Sequence, residues 1–210
     1  MKRLERIKKL LETNYNLKSN KYVYFPKDVK ELRELVKQLI YEHGDNVDLN
    51  DIDVSNIKNF YTVFEEEINF NGDVSEWNVS NGKDFSYMFK RCKNFNSDLS
   101  KWDVSNGITF FDMFLDCKNF NSYLSKWNVS NCESFSEMFY GCKKFNRDLS
   151  RWDVSKGIEF GKMFFKCSNF DSDLSEWDVS KAKHWDLFAR NSLLERYPER
   201  IPERFRNDYL

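Results

Sequence analysis

The chain has 210 residues with 40% hydrophobic content, enough for one ordinary domain or one short repeat array with a real core. Its 33 Lys+Arg stand against 34 Asp+Glu, so no global field steers it toward nucleic acid or an anionic membrane, and an electrostatic partner has to meet a local patch. Only 7 Gly and 3 Pro are spread along it, against 20 Phe, 10 Tyr and 6 Trp, which excludes long disordered linkers.

The first segment, "MKRLERIKKLLETNY", places Leu4, Ile7, Leu10 and Leu11 at amphipathic helical spacing. Charges interrupt its apolar positions, so it does not read as a signal peptide, and no stretch reaches the length of a membrane span. The expected location is therefore cytoplasmic, or the extracellular surface if a leader was removed. The basic run Lys2, Arg3, Arg6, Lys8 and Lys9 is broken by Glu5 and reads as a solvated face. "YVYF" at Tyr22–Phe25 suggests a strand. From Pro26, "PKDVKELRELVKQLIYEHG" puts Val29, Leu32, Leu35, Val36 and Leu39 on one helical face that stops at Gly44. Residues 1–47 are thus expected to form a helical N-terminal cap.

From there a 25-residue period governs the chain. It carries Trp77, Trp102, Trp127, Trp152 and Trp177, and likewise Phe70, Phe95, Phe120, Phe145 and Phe170. Phe85, Phe110, Phe135 and Phe160 keep the register, with the pairs Met88-Phe89, Met113-Phe114, Met138-Phe139 and Met163-Phe164. A worn first copy starts at Asp48 with Ile52 in the Trp place, and the pattern fades after Trp185, giving five to six repeats over 48–185. Within one unit Phe85, Met88, Phe89 and Cys92 follow i, i+3, i+4, i+7, which predicts a short helix. Trp102 and Val104 alternate with Lys101, Asp103 and Ser105, which predicts a short strand. The expected fold is an α/β repeat solenoid, leucine-rich-repeat-like, with one short helix and one short strand per coil. Asn beside the Phe and Ser in "DVSN" are read as turn residues bonding between coils. The tail, 186–210, is expected to be an irregular C-terminal cap or arm, with Ile201 and Phe205 available to pack on the last coil.

The succession "MFKRCKNFNSDLSKWDVSNG" resembles the BspA-type leucine-rich repeat, whose units carry a Met-Phe, a Cys, a Phe-Asn and a Trp-Asp-Val-Ser at these spacings. The resemblance covers roughly residues 48 to 185 in four full copies. It implies a leucine-rich-repeat-like fold that binds macromolecules, from a family of mostly bacterial surface proteins implicated in adhesion. It brings no catalytic residues.

The search for chemistry returns little. His43 and His184 are the only histidines, and no phosphate loop, zinc-helix motif or nucleophile elbow is present. Cys92, Cys117, Cys142 and Cys167 occupy one repeated position, one per coil, and cannot converge on one metal; they are expected to be buried thiols. Cys132 lies outside the row and is the one thiol expected to be reactive. No enzyme activity, metal or cofactor is expected.

Recognition should then fall on exposed positions that differ between copies. On the strand face the candidates are Lys101, Lys126 and Arg151, flanked by Asp103 and Asp153. The aromatic candidates are Phe111, Tyr123 and Tyr140. A protein partner is expected; nucleic acid could bind only through the local basic row or as part of a nucleoprotein. The expected role is a binding module that occupies a partner's surface, for instance as an inhibitor of a host enzyme or nucleoprotein, encoded by a virus or mobile element. The alternative is a surface adhesion protein.

Overall fold

The structure, a computed structural model, describes residues 22–209. The amphipathic stretch at Leu4–Leu11 and the basic run before it lie outside those residues. Helix α1, Val29–His43, is the only α-helix among the described residues. Pro26 stands before it, and the N-cap is Asp28, whose side chain accepts from the Glu31 N–H at 2.9 Å. Gly44, at φ 87, closes it by donating its N–H to the Ile40 carbonyl at 2.8 Å. Leu32, Leu35, Val36, Leu39 and Ile40 are buried. The "YVYF" segment contributes one parallel bridge, Tyr24 to Ile52, rather than a strand.

The expected helix and strand of each repeat both fail to form. Among the described residues the coils contain no extended strand, only isolated parallel bridges such as Asp84 to Thr109 and Thr109 to Ser134, one coil apart. In place of a helix, residues 85–92 make two consecutive four-residue turns. Met88 N–H donates to the Phe85 carbonyl and Cys92 N–H to that of Phe89, with left-handed residues at Tyr87 (φ 61) and Arg91 (φ 63). A helix would turn its later N–H groups onto carbonyls four residues back in the same segment. Here the N–H groups of Phe85, Tyr87, Phe89 and Arg91 donate to the carbonyls of Thr109, Phe111, Met113 and Leu115 in the next coil.

The i, i+3, i+4, i+7 spacing arises because the first and fourth residues of each turn point inward. Phe85, Met88, Phe89 and Cys92 are all fully buried. The Trp102-Val104 alternation has the same origin. Trp102 ends the turn begun at Leu99, and Val104 begins the turn that ends at Gly107. Both are buried, while Lys101 and Asp103 are exposed.

Stacking these coils makes the core. Trp102 and Trp127 lie parallel at 6.4 Å, Phe89 and Phe114 at 5.7 Å, and within one coil Phe114 and Phe120 meet at 4.0 Å. Below the last coil the tail forms three short 3-10 turns, Leu194–Arg196, Pro198–Arg200 and Glu203–Asp208. Phe205 stacks on Trp185 at 5.1 Å, and Leu194, Ile201 and Phe205 are buried. These side chains cover the apolar end that the last coil would otherwise expose.

Candidate interaction surface

The two sides of a coil are bonded to their neighbours in different ways. On the side of residues 83–91 the link is backbone to backbone, so its outward positions are not tied to one residue type. On the side of residues 95–106 it is made by particular side chains. Asn96 Oδ1 accepts the Asn121 N–H at 2.7 Å, Asn106 Nδ2 donates to the Ser80 carbonyl at 2.8 Å, and Trp102 Nε1 donates to the Val74 carbonyl at 2.9 Å. Cys117 Sγ spans the same interval on the other flank, donating to the Phe89 carbonyl at 2.9 Å. The Ser of "DVSN" serves through its backbone: Ser105 and Ser155 N–H donate to Asp103 and Asp153 Oδ1, both at 3.0 Å.

Asp103 and Asp153 therefore hold turns. Those serine contacts, side chain first and backbone second, also keep the Asp153 carboxyl below its ordinary pKa. Lys101, Lys126 and Arg151 are exposed and in register, about 5 Å apart per coil. Lys101 is ion-paired to Glu76 in the preceding coil, whereas Lys126 and Arg151 make no ion pair among the described residues. Tyr123 is exposed at its edge, but Arg147 lies over its ring at 3.8 Å. Tyr140 is half-buried against Phe165, with Lys166 above both rings.

Phe111 belongs to a different neighbourhood. It meets Tyr87 edge-on at 5.1 Å, and Tyr87 meets Tyr61 in the same way at 5.3 Å. Beside this aromatic run Lys90 pairs with the buried Asp112 at 3.0 Å and sits over the Tyr87 ring. Burial pushes the Asp112 carboxyl above its ordinary pKa, opposed by Lys90.

Toward the C-terminal end the same surface opens into a groove of about 350 Å³. Phe111, Ser136 and Gly161 line it together with the charged or titratable side chains of Glu137, Glu159, Lys162, His184 and Asp186. Lys162 is held by Glu137 at 3.2 Å, and His184 lies 3.9 Å from Glu159. Of these residues only Phe111 and His184 stand out in the sequence, because the others belong to no shared motif. The signal was the reverse one: the register Tyr61, Ser86, Phe111, Ser136, Gly161, Asp186 has no common residue type. A second unremarked row, Lys93, Lys118, Lys143 and the adjacent Lys144, is exposed on the opposite flank of the turn segment.

Cys132 is fully buried, its Sγ donates to the Ser134 carbonyl, and burial holds its thiol well above the ordinary pKa. That environment corrects the expectation of a reactive thiol. No group of three metal-ligating side chains converges among the described residues, and no helix among them is long and apolar enough to cross a membrane.

Taken together, the molecule is a repeat protein of stacked, turn-built coils with variable side chains on a backbone-bonded face. Its sequence matches the DUF285 family, described as "Mycoplasma protein of unknown function", over residues 30–143 and 109–195, and the chain belongs to that family. No curated protein and no solved structure matches it.

Proposed function

We propose that the chain is a non-enzymatic binding protein of the BspA repeat type that acts by covering part of a partner protein's surface. One observation carries this reading. The residues shared by all copies are buried or occupied in bonds within and between coils, whereas residues that differ between copies, such as Glu76, Lys101, Lys126, Arg151 and Glu176, stand outward in a row fixed by the 25-residue register. A rigid scaffold that frees its outward positions from structural duty is suited to recognition. The BspA assignment is supported by the structural task each motif residue has: Trp and Cys bond between coils, Asn bridges them, and Asp-Val-Ser closes a turn. The same exposed rows suit an inhibitor, which needs only to occupy a site.

The test is retention of partner proteins from host cytosol at physiological salt, comparing the native chain with a Lys101→Glu, Lys126→Glu, Arg151→Glu variant. Specific retention that the triple variant loses supports binding through that row. Equal retention by both moves recognition to the turn face, and no specific retention by either overturns the proposal.

A further inference from the structure

We infer that the groove between Phe111 and Asp186 receives an arginine side chain from a partner polypeptide. This deepens the binding reading above and rests on it.

The opening is made by a missing side chain. At this register the other coils carry Tyr61, Ser86, Phe111, Ser136 and Asp186. Gly161 is not among the positive-φ residues, so the backbone there does not demand glycine. The atoms nearest a Cβ at Gly161 would be those of the Asp186 carboxylate, from 2.9 Å, and Ser136 Oγ at 3.8 Å. The absence of a side chain lets the Asp186 carboxylate lie over Gly161, and the groove there, about 350 Å³, is at the small end for a ligand site. It suits a side chain better than a folded surface.

The charge of the lining selects the occupant. Glu137, Glu159 and Asp186 contribute carboxylates. Lys162 is already engaged by Glu137, and Asp186 makes no ion pair among the described residues. An anionic ligand would meet these carboxylates, and a purely apolar one would strip water from them without return. A guanidinium suits this mixture, because it stacks on an aromatic ring such as Phe111 and donates to carboxylates such as Glu159 and Asp186. Elsewhere the protein itself pairs exposed or half-buried aromatics with cations: Arg147 on Tyr123 at 3.8 Å, Arg200 on Tyr197 at 4.5 Å and Arg204 on Trp185 at 5.1 Å. Phe111 meets only the edge of Tyr87 and has no such partner among the described residues.

The probe is a short Gly-Arg-Gly-Arg-Gly peptide, titrated into the full chain at physiological salt while the amide resonances of Gly161 and Ser136 are followed by NMR. Gly-Glu-Gly-Glu-Gly is the counterpart. The expected result is saturable shifts at both amides with the arginine peptide alone. Gly161→Phe, which installs a residue type the repeat already accommodates at this register, should weaken binding about tenfold or more, a loss of about 1.4 kcal/mol. Glu159→Gln with Asp186→Asn should do the same without filling the groove, so the inference does not hang on one variant's folding.

Absence of saturable shifts overturns it. So does an affinity in both variants equal to that of the native chain, which would mean the peptide sits on other acids. Failure here is separable from failure of the broader reading. A partner retained equally by Gly161→Phe, but lost by the Lys101, Lys126, Arg151 variant, leaves the binding role intact and removes only the groove.

Discussion

The indole N–H of Trp127 donates to the carbonyl oxygen of Leu99 at 2.9 Å, and that oxygen also accepts the backbone N–H of Trp102 at 3.1 Å. One acceptor thus closes a turn within its coil and ties the coil to the next. Trp77, Trp152 and Trp177 repeat the bond to Leu49, Leu124 and Leu149. The Trp is kept in register because it supplies both a stacked ring and the one side-chain N–H that reaches this carbonyl.

Two substitutions separate those contributions. Trp127→Phe keeps an aromatic in the stack but deletes the donor, and should cost about 1–3 kcal/mol, the scale of a lost buried hydrogen bond with some lost packing. Trp127→Ala should cost about 3–5 kcal/mol, as should Phe110→Ala, since both leave cavities in a fully stacked core. Urea denaturation of the three variants checks the order. Near-equal losses for Trp127→Phe and Trp127→Ala would mean the ring stack contributes little.

This division explains what could be read from the sequence. Register, core residues and stacking were visible because Phe95, Leu99 and Trp102 recur wherever side-chain size and the Trp donor are required. The secondary structure was misread because Phe85, Met88, Phe89 and Cys92 have helical spacing whether they line one helix face or end two successive turns. What distinguishes the cases is the left-handed backbone at Tyr87 and Arg91, and neither residue type announces it. The groove was hidden for a related reason. Gly161 breaks no pattern, because its register has none, and the hydrogen bonds that hold that face belong to the backbone.

The thiols should be silent in the folded protein. Cys92, Cys117, Cys132, Cys142 and Cys167 are all unpaired and buried, and burial raises each thiol above its ordinary pKa. A thiol-specific reagent at neutral pH should therefore label no described cysteine until denaturant unfolds the chain, after which all five should react together. Fast labelling of Cys132 alone in the native state would restore it as a reactive site.

Two glycines should respond differently to the same change. Gly141 stands at φ 70, and a Cβ there would meet Asp116 Oδ1 at 2.4 Å. Gly141→Ala should therefore lose about 1–2 kcal/mol through left-handed strain and crowding. Gly161→Ala comes nearest a movable carboxylate end, and alanine lowers the entropy of the unfolded chain, so its stability should change by less than about 0.5 kcal/mol. Thermal denaturation of the pair gives the contrast. Equal destabilisation would show that Gly161 is needed by the fold and would remove the argument that its absence of side chain serves the groove.

Acid should loosen the turns on the side-chain-bonded face. Asp148, Asp173 and Asp178 accept the N–H groups of Ser150, Ser175 and Ser180 at 2.9–3.0 Å, and those bonds lower each carboxyl below its ordinary pKa. Asp153 is lowered likewise by Ser155. A carboxyl with a depressed folded-state pKa holds fewer protons folded than unfolded near that pKa. Its contribution is present above the unfolded value, about 4, and is lost as pH falls from there through the lower folded one. The melting temperature should thus decline as pH drops from about 5 toward 3. The chain already contains the control for the Asp153 and Asp178 turns, since Asn128 Oδ1 accepts the Ser130 N–H at 3.1 Å in the equivalent turn without a titrating group. Asp148→Asn, Asp153→Asn and Asp178→Asn together should keep the turns at neutral pH and flatten this acid limb. An unchanged acid limb in that triple variant would assign the loss to other carboxylates and reduce the Asp-Ser pairs to turn geometry alone.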